Sequence, residues 1–395
     1  MKNVILGVSG GIAAYKAADL ASRLVKRAIG VDVIMTEAAI RFVGTATFRA
    51  LTGRPVRVDV FDEEGEITHV ELAQRADLFL VAPATANTIA KLAHGLADNL
   101  LTTVALAVDC PRLVAPAMNS RMYADPAVQA NIATLRDRGY QILGPAAGRL
   151  ACGEEGPGRM LEAAEIEDLV MNLLEASDGL KGVEVLVTAG PTREHLDPVR
   201  FLSNASSGKM GYALAREAAR RGASVTLISG PTHLRPPYGV SFQRVTTTEE
   251  MFHAVMKRFS ASRVVIKAAA PADFRCGETR REKIKKQGKE LSLTLVPNPD
   301  ILLELGRRKR PGQILVGFAA ETGGVEEKAR KKLRRKQLDM IVANDVSGPE
   351  NPFGADTNTV TIITSDGRVE SLPSMSKDEV ARHIIDRVEG LLRSR

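Results

Sequence analysis

The hydrophobic pattern of this chain repeats one arrangement, in which a short apolar run is followed by a small polar loop and then by a helix. Residues 3–8 form the first apolar run, and residues 183–187 begin another in mid-chain. Between residues 12 and 27, apolar residues recur at the spacing of a helix that is buried on one face. Alternating strands and helices of this kind predict a parallel sheet covered by helices on both faces. The pattern therefore predicts an α/β fold.

The pattern runs through the chain twice, which predicts two domains. The first run ends with a helix over 161–175, and a short linker at 177–179 precedes the next strand. A length of 395 residues is also typical of two domains. We predict two doubly wound parallel-sheet domains, residues 1–178 and 181–395. The second is predicted to be Rossmann-like, with strands at 223–229, 263–270, 313–320, 340–346 and 359–364 and a closing helix at 377–392.

Small polar residues stand at the ends of four strands in the first domain. Open parallel sheets bind ligands at the carboxyl ends of their strands, and a glycine-rich loop before a helix can bind phosphate through free backbone N–H groups. These strand ends suit a flat ligand lying across the sheet edge, although the loop at 9–11 also fits a tight turn without a ligand. The candidate residues are Ser9, Gly10, Gly11, Ile12, Thr36, Pro83, Ala84, Thr85, Asn87, Thr88 and Met118.

Four motifs give this domain a specific resemblance. They are GVSGGIAAYK at 7–16, APATANT at 82–88, KLAHGLADNLL at 91–101 and PAMN at 116–119. In this order they resemble the flavin-binding cysteine decarboxylases and, among these, the phosphopantothenoylcysteine decarboxylases. The resemblance covers nearly all of the first domain and implies a flavodoxin-like flavoprotein domain. It also implies that the candidate residues above bind flavin mononucleotide (FMN).

The same resemblance gives three residues a role in decarboxylation. His69 matches the active-site base, Asn119 the residue that holds the substrate carboxylate, and Cys152 the proton donor on a flap that closes over the substrate. A histidine suits its role because it titrates near neutral pH. From the residues alone, His69 also fits a surface or capping residue, Asn119 a helix cap, and Cys152 an incidental cysteine of a glycine-rich loop.

The second domain contains features that suit a polyanionic ligand. A loop of Ser and Gly residues at 204–208 leads into a helix, which is the arrangement of an anion site. Two basic runs follow, at 278–290 and 326–336, although most of their side chains also fit a solvated surface. Three lysines in a loop of the first run are placed to clamp a triphosphate, and two in the second share a helix face: Lys283, Lys285, Lys286, Lys332 and Lys336.

Six motifs of this domain resemble the bacterial phosphopantothenate–cysteine ligases that use CTP. They are NASSGKMG at 204–211, ADF at 272–274, KIKK at 283–286, NPDI at 298–301, GFAAET at 317–322 and ANDV at 343–346. The resemblance implies that Asn204 acts on an acyl-cytidylate, that Lys283 promotes its formation and that Arg200 contacts the substrate phosphate. It further implies a CTP site made of Asp273, Lys283, Asn298, Pro299, Asp300, Ile301, Phe318, Lys332 and Lys336.

Two residues leave parts of this assignment open. Phe318 fits a core residue at a strand end as well as it fits a nucleotide contact. Pro271 stands where the motif leads us to expect a small aliphatic residue. Because proline has no backbone N–H, a nucleotide contact through that group is in doubt.

Together the two resemblances imply a bifunctional enzyme of coenzyme A biosynthesis. The second domain would ligate 4′-phosphopantothenate to L-cysteine through an acyl-cytidylate, converting CTP to CMP and pyrophosphate with Mg²⁺. The first domain would decarboxylate the product to 4′-phosphopantetheine with FMN. No metal ligands are identified by the sequence. The resemblance also implies a homo-oligomer in which trimers of the decarboxylase and dimers of the ligase build a dodecamer.

Composition narrows the alternatives. Aromatic residues make up only 4% of the chain and Trp is absent, which argues against a base-stacking nucleic-acid protein built on the basic runs. The net charge of +7 suits small phosphate ligands equally well. We see no signal peptide and no membrane-spanning run, and we predict a cytoplasmic protein. The remaining alternative is a flavoprotein fused to an NAD(P)-binding reductase, which the lack of a G-x-G-x-x-G motif disfavours.

Overall fold

The computed structural model describes residues 1–60, 68–149, 153–285, 291–346 and 354–395. These residues fall into two compact units, 1–175 and 176–395, which divide beside the predicted linker. Each unit is built on one large sheet whose strands bury side chains on both faces.

The first unit alternates strands and helices along most of its length. Its strands are β1 (Asn3–Val8), β2 (Gly30–Met35), β3 (Val56–Arg57), β4 (Leu78–Ala84), β5 (Arg112–Pro116), β6 (Tyr140–Ile142), β7 (Ala146–Arg149) and β8 (Glu155–Arg159). Its α-helices are α1 (Ala14–Lys26), α2 (Thr45–Thr52), α3 (Thr68–Arg75), α4 (Ala86–His94), α5 (Leu100–Ala107), α6 (Ser120–Ala124), α7 (Pro126–Asp137) and α8 (Ala163–Leu174).

The strand order of this unit is that of a flavodoxin-like sheet. All six strands of the main sheet pair in parallel, in the order β3-β2-β1-β4-β5-β6. Without the two-residue edge strand β3, the remaining five have the order 2-1-3-4-5, which is the flavodoxin order. β7 and β8 form a separate antiparallel hairpin in the segment predicted to be a flap.

The second unit repeats the α/β alternation with more irregular segments between its elements. Its strands are β9 (Glu184–Ala189), β10 (Arg193–His195), β11 (Phe201–Ser203), β12 (Ser224–Ser229), β13 (Ser241–Arg244), β14 (Val264–Lys267), β15 (Phe274–Cys276), β16 (Leu295–Pro297), β17 (Ile314–Glu321), β18 (Met340–Asp345), β19 (Thr357–Thr364) and β20 (Val369–Ser376). Its helices are α9 (Lys209–Arg220), α10 (Thr248–Phe259), α11 (Ile301–Arg308), α12 (Val325–Arg335) and α13 (Lys377–Arg393).

The main sheet of this unit is Rossmann-like with an added antiparallel edge. Its order is β13-β12-β9-β14-β17-β18-β19-β20, and the first six strands are parallel. Counted within the sheet, those six follow the Rossmann order 3-2-1-4-5-6. β19 and β20 then pair antiparallel. The predicted fold class is confirmed, and β20 is an addition that the sequence analysis did not contain.

Helix α9 packs against the central strand of this sheet at unusually short range. Gly211 lies on the helix face toward β9, and a Cβ at this position would stand 2.5 Å from Ala189 Cβ and 3.0 Å from the Thr188 carbonyl oxygen. Only glycine allows this approach, because real Cβ atoms do not come so close to backbone or side-chain atoms. The helix N-terminus is thereby held at the carboxyl end of β9.

We predict that Gly211→Ala destabilises the second unit although alanine favours helices. Overpacking a tight contact costs roughly 1–3 kcal/mol, against a propensity gain of about 1 kcal/mol. Gly390→Ala in α13 is the matched control, because nothing lies within 4 Å of the added Cβ and the position is exposed. Thermal unfolding should give a lower midpoint for G211A and an equal or higher one for G390A. A G211A variant that melts at or above the wild-type midpoint would contradict the close approach.

Candidate active sites

The predicted site residues of each unit gather where its parallel strands end. In the first unit the predicted flavin contacts lie at the ends of β1, β2, β4 and β5. In the second unit Asn204 lies between β9 and β12, Asp273 lies after β14, and Phe318 lies in β17. Parallel pairing places the carboxyl ends of these strands at the same edge of the sheet. Each unit thus has one candidate site, formed by loops that are distant in sequence.

Ser9 ties together two of the loops in the first unit. Its hydroxyl donates a hydrogen bond to the Pro83 carbonyl at 2.8 Å and accepts one from the Thr85 N–H at 3.0 Å. Its own N–H donates to the same Pro83 carbonyl at 3.2 Å. The side chain is buried. In this arrangement Ser9 fixes the spacing between the ends of β1 and β4.

The glycines that follow Ser9 differ in the space around them. A Cβ on Gly10 would lie 2.3 Å from Ala38 Cβ, so the loop after β1 runs directly against the loop after β2. Around Gly11 the nearest such neighbour is Thr85 Cγ2 at 3.6 Å, which leaves room beside the β4 loop. A larger residue at position 10 would therefore push the β1 loop away from the β2 loop, whereas position 11 has space toward the β4 loop.

The hydroxyls of the other strand ends also support their own loops. Thr36 Oγ1 accepts a hydrogen bond from the Ala39 N–H at 3.2 Å. Thr85 is the N-cap of α4 and accepts from the Thr88 N–H at 3.4 Å. The remaining predicted flavin contacts are placed as follows: Pro83, Ala84 and Thr88 are buried, Met118 is half-buried, and Ile12 and Asn87 are exposed.

Asn119 is held in place by the hairpin β7–β8. Its Oδ1 accepts from the Arg121 N–H at 2.8 Å as the N-cap of α6, and its Nδ2 donates to Glu154 Oε2 at 2.9 Å. The Met118 N–H donates to the Gly158 carbonyl at 3.0 Å, and a Cβ on Gly158 would lie 2.3 Å from Met118 O. The hairpin therefore lies directly on the loop that carries Asn119.

The two other residues with a predicted role in decarboxylation are less well defined by contacts. His69 is half-buried in the first turn of α3. Cys152 lies outside the described residues, immediately before Gly153 and the Glu154 that contacts Asn119. Their roles stay predictions.

In the second unit, a cavity of about 410 Å³ opens at the carboxyl edge of the sheet. Four predicted residues line it from four different segments: Asn204, Asp273, Phe318 and Lys332. Phe318 also packs on the hydrophobic core. Its position is therefore compatible both with a core residue and with a nucleotide contact. The other lining groups include the loop and first turn of α9, the strand end 267–271, Asn344, Asn358 and Lys377.

Asn204 joins two sides of this cavity. Its Nδ2 donates to the Ala270 carbonyl at 3.2 Å and to the Pro271 carbonyl at 3.0 Å. The proline at position 271 thus offers its carbonyl oxygen to the motif even though it has no N–H. The amide of Asn204 stands where the loop after β11 meets the loop after β14.

The Asn-Pro-Asp-Ile segment supports the cavity and borders a second one. The Asn298 N–H donates to the Asp273 carbonyl at 2.8 Å, and its Nδ2 donates to the Ala272 carbonyl at 2.9 Å. Asp300 caps α11 and pairs with Lys336 at 2.8 Å. Asp300 and Lys336 line a separate cavity of about 430 Å³. Pro299, which follows Asn298, is half-buried. Ile301 is a buried residue of the first turn of α11.

Lys332 and Lys336 lie close together, as their spacing predicts. Lys332 Nζ donates to the Phe318 carbonyl at 3.3 Å. Burial lowers the pKa of Lys332, and the neighbouring Lys336 ammonium lowers it further. Burial would raise the pKa of Asp300, but hydrogen bonds from Lys336 and the Leu303 N–H hold it below its usual range.

Asp197 is a residue that the sequence analysis missed. Its carboxylate is buried and accepts from the Val199 and Arg200 N–H groups, both at 2.8 Å, and from the Ile284 N–H at 3.1 Å. Arg200 Nη1 also lies 3.4 Å from Asp197 Oδ2. Asp197 therefore fixes Arg200 and holds the loop that carries the exposed Lys283. An Asp-Pro pair signals a turn, but its tie to a segment 87 residues away has no local signature.

We predict that Asp197→Asn lowers the melting midpoint at neutral pH, because one amide oxygen cannot replace two carboxylate oxygens. Burial would raise the pKa of Asp197, but the three backbone N–H donors outweigh it and lower the pKa. A lowered folded-state pKa adds stability that is full above the usual aspartate value of about 3.9 and is lost as the pH falls below it. The difference between wild type and D197N should therefore stay constant from pH 8 to 5 and shrink on further acidification.

Asp178→Asn is the control for this experiment, since Asp178 pairs with Lys181 on an exposed surface. It should leave the melting midpoint almost unchanged at every pH. A D197N protein that behaves like D178N would show that the buried carboxylate does not hold the two loops.

The fold defines a protein with a flavodoxin-like unit and a Rossmann-like unit, each with a candidate ligand site where its strands end. A family model described as "Flavoprotein" matches residues 1–175, and one described as "DNA/pantothenate metabolism flavoprotein C-terminal domain" matches residues 180–391. Both matches follow the division between the units.

Two curated proteins illustrate the similarity over the whole chain. The coenzyme A biosynthesis bifunctional protein CoaBC of Bacillus subtilis (strain 168) is 50% identical over 395 residues, covering 99% of this chain and 97% of that protein. The protein of the same name from Escherichia coli (strain K12) is 45% identical over 392 residues, covering 98% and 96%. A solved C-terminal domain of CoaBC covers 55% of this chain and all of its own, at 45% identity and a TM-score of 0.49.

The chain belongs to the family of bifunctional coenzyme A biosynthesis proteins. It is an enzyme that combines a flavoprotein decarboxylase unit with a ligase unit. The predicted family and both predicted classes of activity are confirmed, and the alternative of a fused NAD(P)-binding reductase is not supported. None of the described helices is long and apolar enough to cross a membrane.

Proposed function

We propose that the second unit joins 4′-phosphopantothenate to L-cysteine at the expense of CTP, and that the first unit decarboxylates the product to 4′-phosphopantetheine with FMN. The observation that carries the ligase assignment is the 410 Å³ cavity, into which Asn204, Asp273, Phe318 and Lys332 project from separate segments. Such convergence of polar groups from distant loops is typical of a substrate site.

The ligation needs an activated carboxylate, because a free carboxylate is a poor electrophile. Its oxygen attacks the α-phosphorus of CTP, which forms the acyl-cytidylate and releases pyrophosphate. The cysteine amine then attacks the acyl carbon, loses a proton and releases CMP. Lys332, beside the cavity, offsets charge that develops on the phosphates. Asn204 is placed at the loop junction to orient the acyl group during the second step.

Magnesium enters this proposal only as the counter-ion of the triphosphate. Within the described ranges, no group of three or more His, Cys, Asp or Glu side chains could hold a metal ion. Mg²⁺ commonly keeps water and phosphate ligands and uses few protein groups. We therefore assign no protein ligand to it.

The edge of the first unit fits a flat phosphorylated cofactor such as FMN. The loop after β1 packs tightly against the β2 loop at Gly10, has space toward the β4 loop at Gly11, and leads to the N-terminal end of α1. Helix N-termini favour phosphate groups. A bound flavin would supply a reversible two-electron oxidation of the substrate thiol, with the electrons returned after carbon dioxide has left. The protein supplies position, a base and a proton donor.

Asn119 suits the binding of a carboxylate that must leave as carbon dioxide. A neutral amide stabilises the charged ground state less than a cation would, so less is lost when the charge disappears. In this structure the Asn119 Nδ2 already donates to the carboxylate of Glu154. We infer that the Glu154 carboxylate occupies the position of the substrate carboxylate. It must then release its hydrogen bond to Asn119 when the substrate binds.

We predict that Glu154→Ala lowers the KM for phosphopantothenoylcysteine roughly threefold or more with little change in kcat, because a competing charge-assisted hydrogen bond is removed. Steady-state decarboxylation assays measure both constants. Glu155→Ala is the matched control, since Glu155 is the exposed neighbour in the same hairpin. A KM that rises in E154A would mean that Glu154 positions Asn119 instead of competing for it.

The assay that tests the whole proposal follows both reactions in one mixture. Purified protein is incubated with 4′-phosphopantothenate, cysteine, Mg²⁺ and CTP, and products are followed by mass spectrometry. We expect 4′-phosphopantetheine, CMP and pyrophosphate. A folded, yellow protein that yields no amide product would rule out the proposed ligase chemistry.

In the same assay, Cys152→Ser should ligate normally and accumulate phosphopantothenoylcysteine. Cys110→Ser is the control, because burial raises the pKa of the Cys110 thiol to about 11 and makes it a poor acid at neutral pH. It should leave both reactions unchanged. Equal decarboxylation by C152S and the wild type would exclude Cys152 as the proton donor. A homo-oligomer and a cytoplasmic location stay predictions.

A further inference from the structure

Lys267 is a cavity residue outside all the motifs found in the sequence. It is the last residue of β14 and lines the 410 Å³ cavity together with Asn204 and Lys332. Its Nζ donates to the Ala269 carbonyl at 2.9 Å, so the side chain turns back over the strand end that forms the cavity wall. The side chain is half-buried.

The charges around Lys267 are not balanced in the structure as it stands. In the part of the chain that the structure describes, neither Lys267 nor Lys332 has a carboxylate oxygen within 4 Å, and each donates to a backbone carbonyl only. Lys336, in contrast, pairs with Asp300 at 2.8 Å. Among the described residues, two ammonium groups that no carboxylate contacts directly therefore line one cavity, and a buried cation normally requires a close counter-charge.

The charged groups that act most strongly on Lys267 come from three other segments. Lys332 and Lys336 approach from α12 and its C-terminus, Asp300 from the start of α11, and Asp273 from the loop after β14. Burial and the two lysines outweigh the two carboxylates and lower the pKa of Lys267 to about 7. Near neutral pH the ammonium therefore loses its proton readily while the cavity holds no anion.

We propose that Lys267 is a further phosphate-binding residue for the nucleotide of the ligase reaction. This rests on the function proposed above. The missing counter-charge is negative, and the cavity also contains the loop and first turn of α9, a twelve-residue helix whose N-terminal N–H groups favour phosphate oxygens. A lysine suits a phosphoryl group because its compact ammonium acts as a point charge.

If Lys267 binds phosphate, nucleotide binding is coupled to proton uptake, which is not expected of a lysine with only a structural role. Bound phosphates favour the charged ammonium and raise the pKa of Lys267, so the protein takes up a proton as the nucleotide binds. The uptake is largest between the pKa of the empty site and that of the occupied site. At neutral pH the uptake is a fraction of a proton, because the lowered pKa leaves part of the Lys267 side chain as the neutral amine before binding.

The experiment is calorimetric titration of the full chain with CTP and Mg²⁺ in buffers of different ionisation enthalpy. The dependence of the binding heat on the buffer gives the number of protons taken up. We compare wild type, Lys267→Met and Lys331→Met from pH 6 to 9. Lys331 is the matched control, because it neighbours Lys332 on α12 but pairs with Glu327 on the exposed face. We expect K331M to match the wild type in affinity and uptake.

For K267M we expect measurably less proton uptake at pH 7 than for the wild type and roughly three- to tenfold weaker binding. Its melting midpoint should not fall, because a desolvated ammonium beside two other lysines is removed. Equal uptake by wild type and K267M would overturn the proposal and leave the ligase function intact. Wild-type protein that neither binds CTP nor ligates would overturn both. The proton uptake of the wild type from pH 6 to 9 is itself a test, because zero uptake throughout this range would also overturn the proposal.

Discussion

Parallel pairing around one central strand is the constraint on which both sites depend. β1 and β9 each have a parallel neighbour on either side, so the chain must leave all three strands at the same edge. Little space remains there for the loops. Gly10 fits against Ala38, and Gly208 adopts a φ of +79° where it turns into α9 beside Gly190. Backbone N–H groups and helix starts are thereby brought to the edge where ligands bind.

The residue types that mark a ligand site are also those that hold its loops together. Ser9 and Thr85 resemble cofactor contacts in the sequence, yet their side-chain oxygens bond to backbone groups, those of the neighbouring β4 loop for Ser9 and those of its own loop for Thr85. Asn119 is likewise a helix cap and a donor to Glu154. A hydroxyl or amide has the same chemistry in both roles, so a sequence alone cannot separate them. In the structure these contacts are made within the protein itself.

The sequence predicted most of the fold because the central strands are buried on both faces and therefore read as continuous apolar runs. All seven residues of β4 are buried, for example. The missed elements lie where this rule fails. β20 is an edge strand with a single buried residue, and β7–β8 is a glycine-rich hairpin away from the main sheet. In the cavity of the second unit, motifs predicted Asn204, Asp273, Phe318 and Lys332 but not Lys267, and the tie from Asp197 to Ile284 is set by tertiary structure.

In the second unit, contact with a carboxylate separates the lysines that stabilise the fold from those that are available to an anionic ligand. The number of basic residues nearby does not. Lys309 pairs with the buried Asp339, and Lys336 pairs with Asp300; both contribute to the fold itself. Lys332 has no carboxylate partner among the residues that the structure describes, and burial together with Lys336 disfavours its charged form. A site with excess positive charge is less favourable for the empty protein than for the protein with a polyanion bound. That difference in free energy contributes to the binding of the polyanion. The buried strands of the sheet keep the unit folded without it.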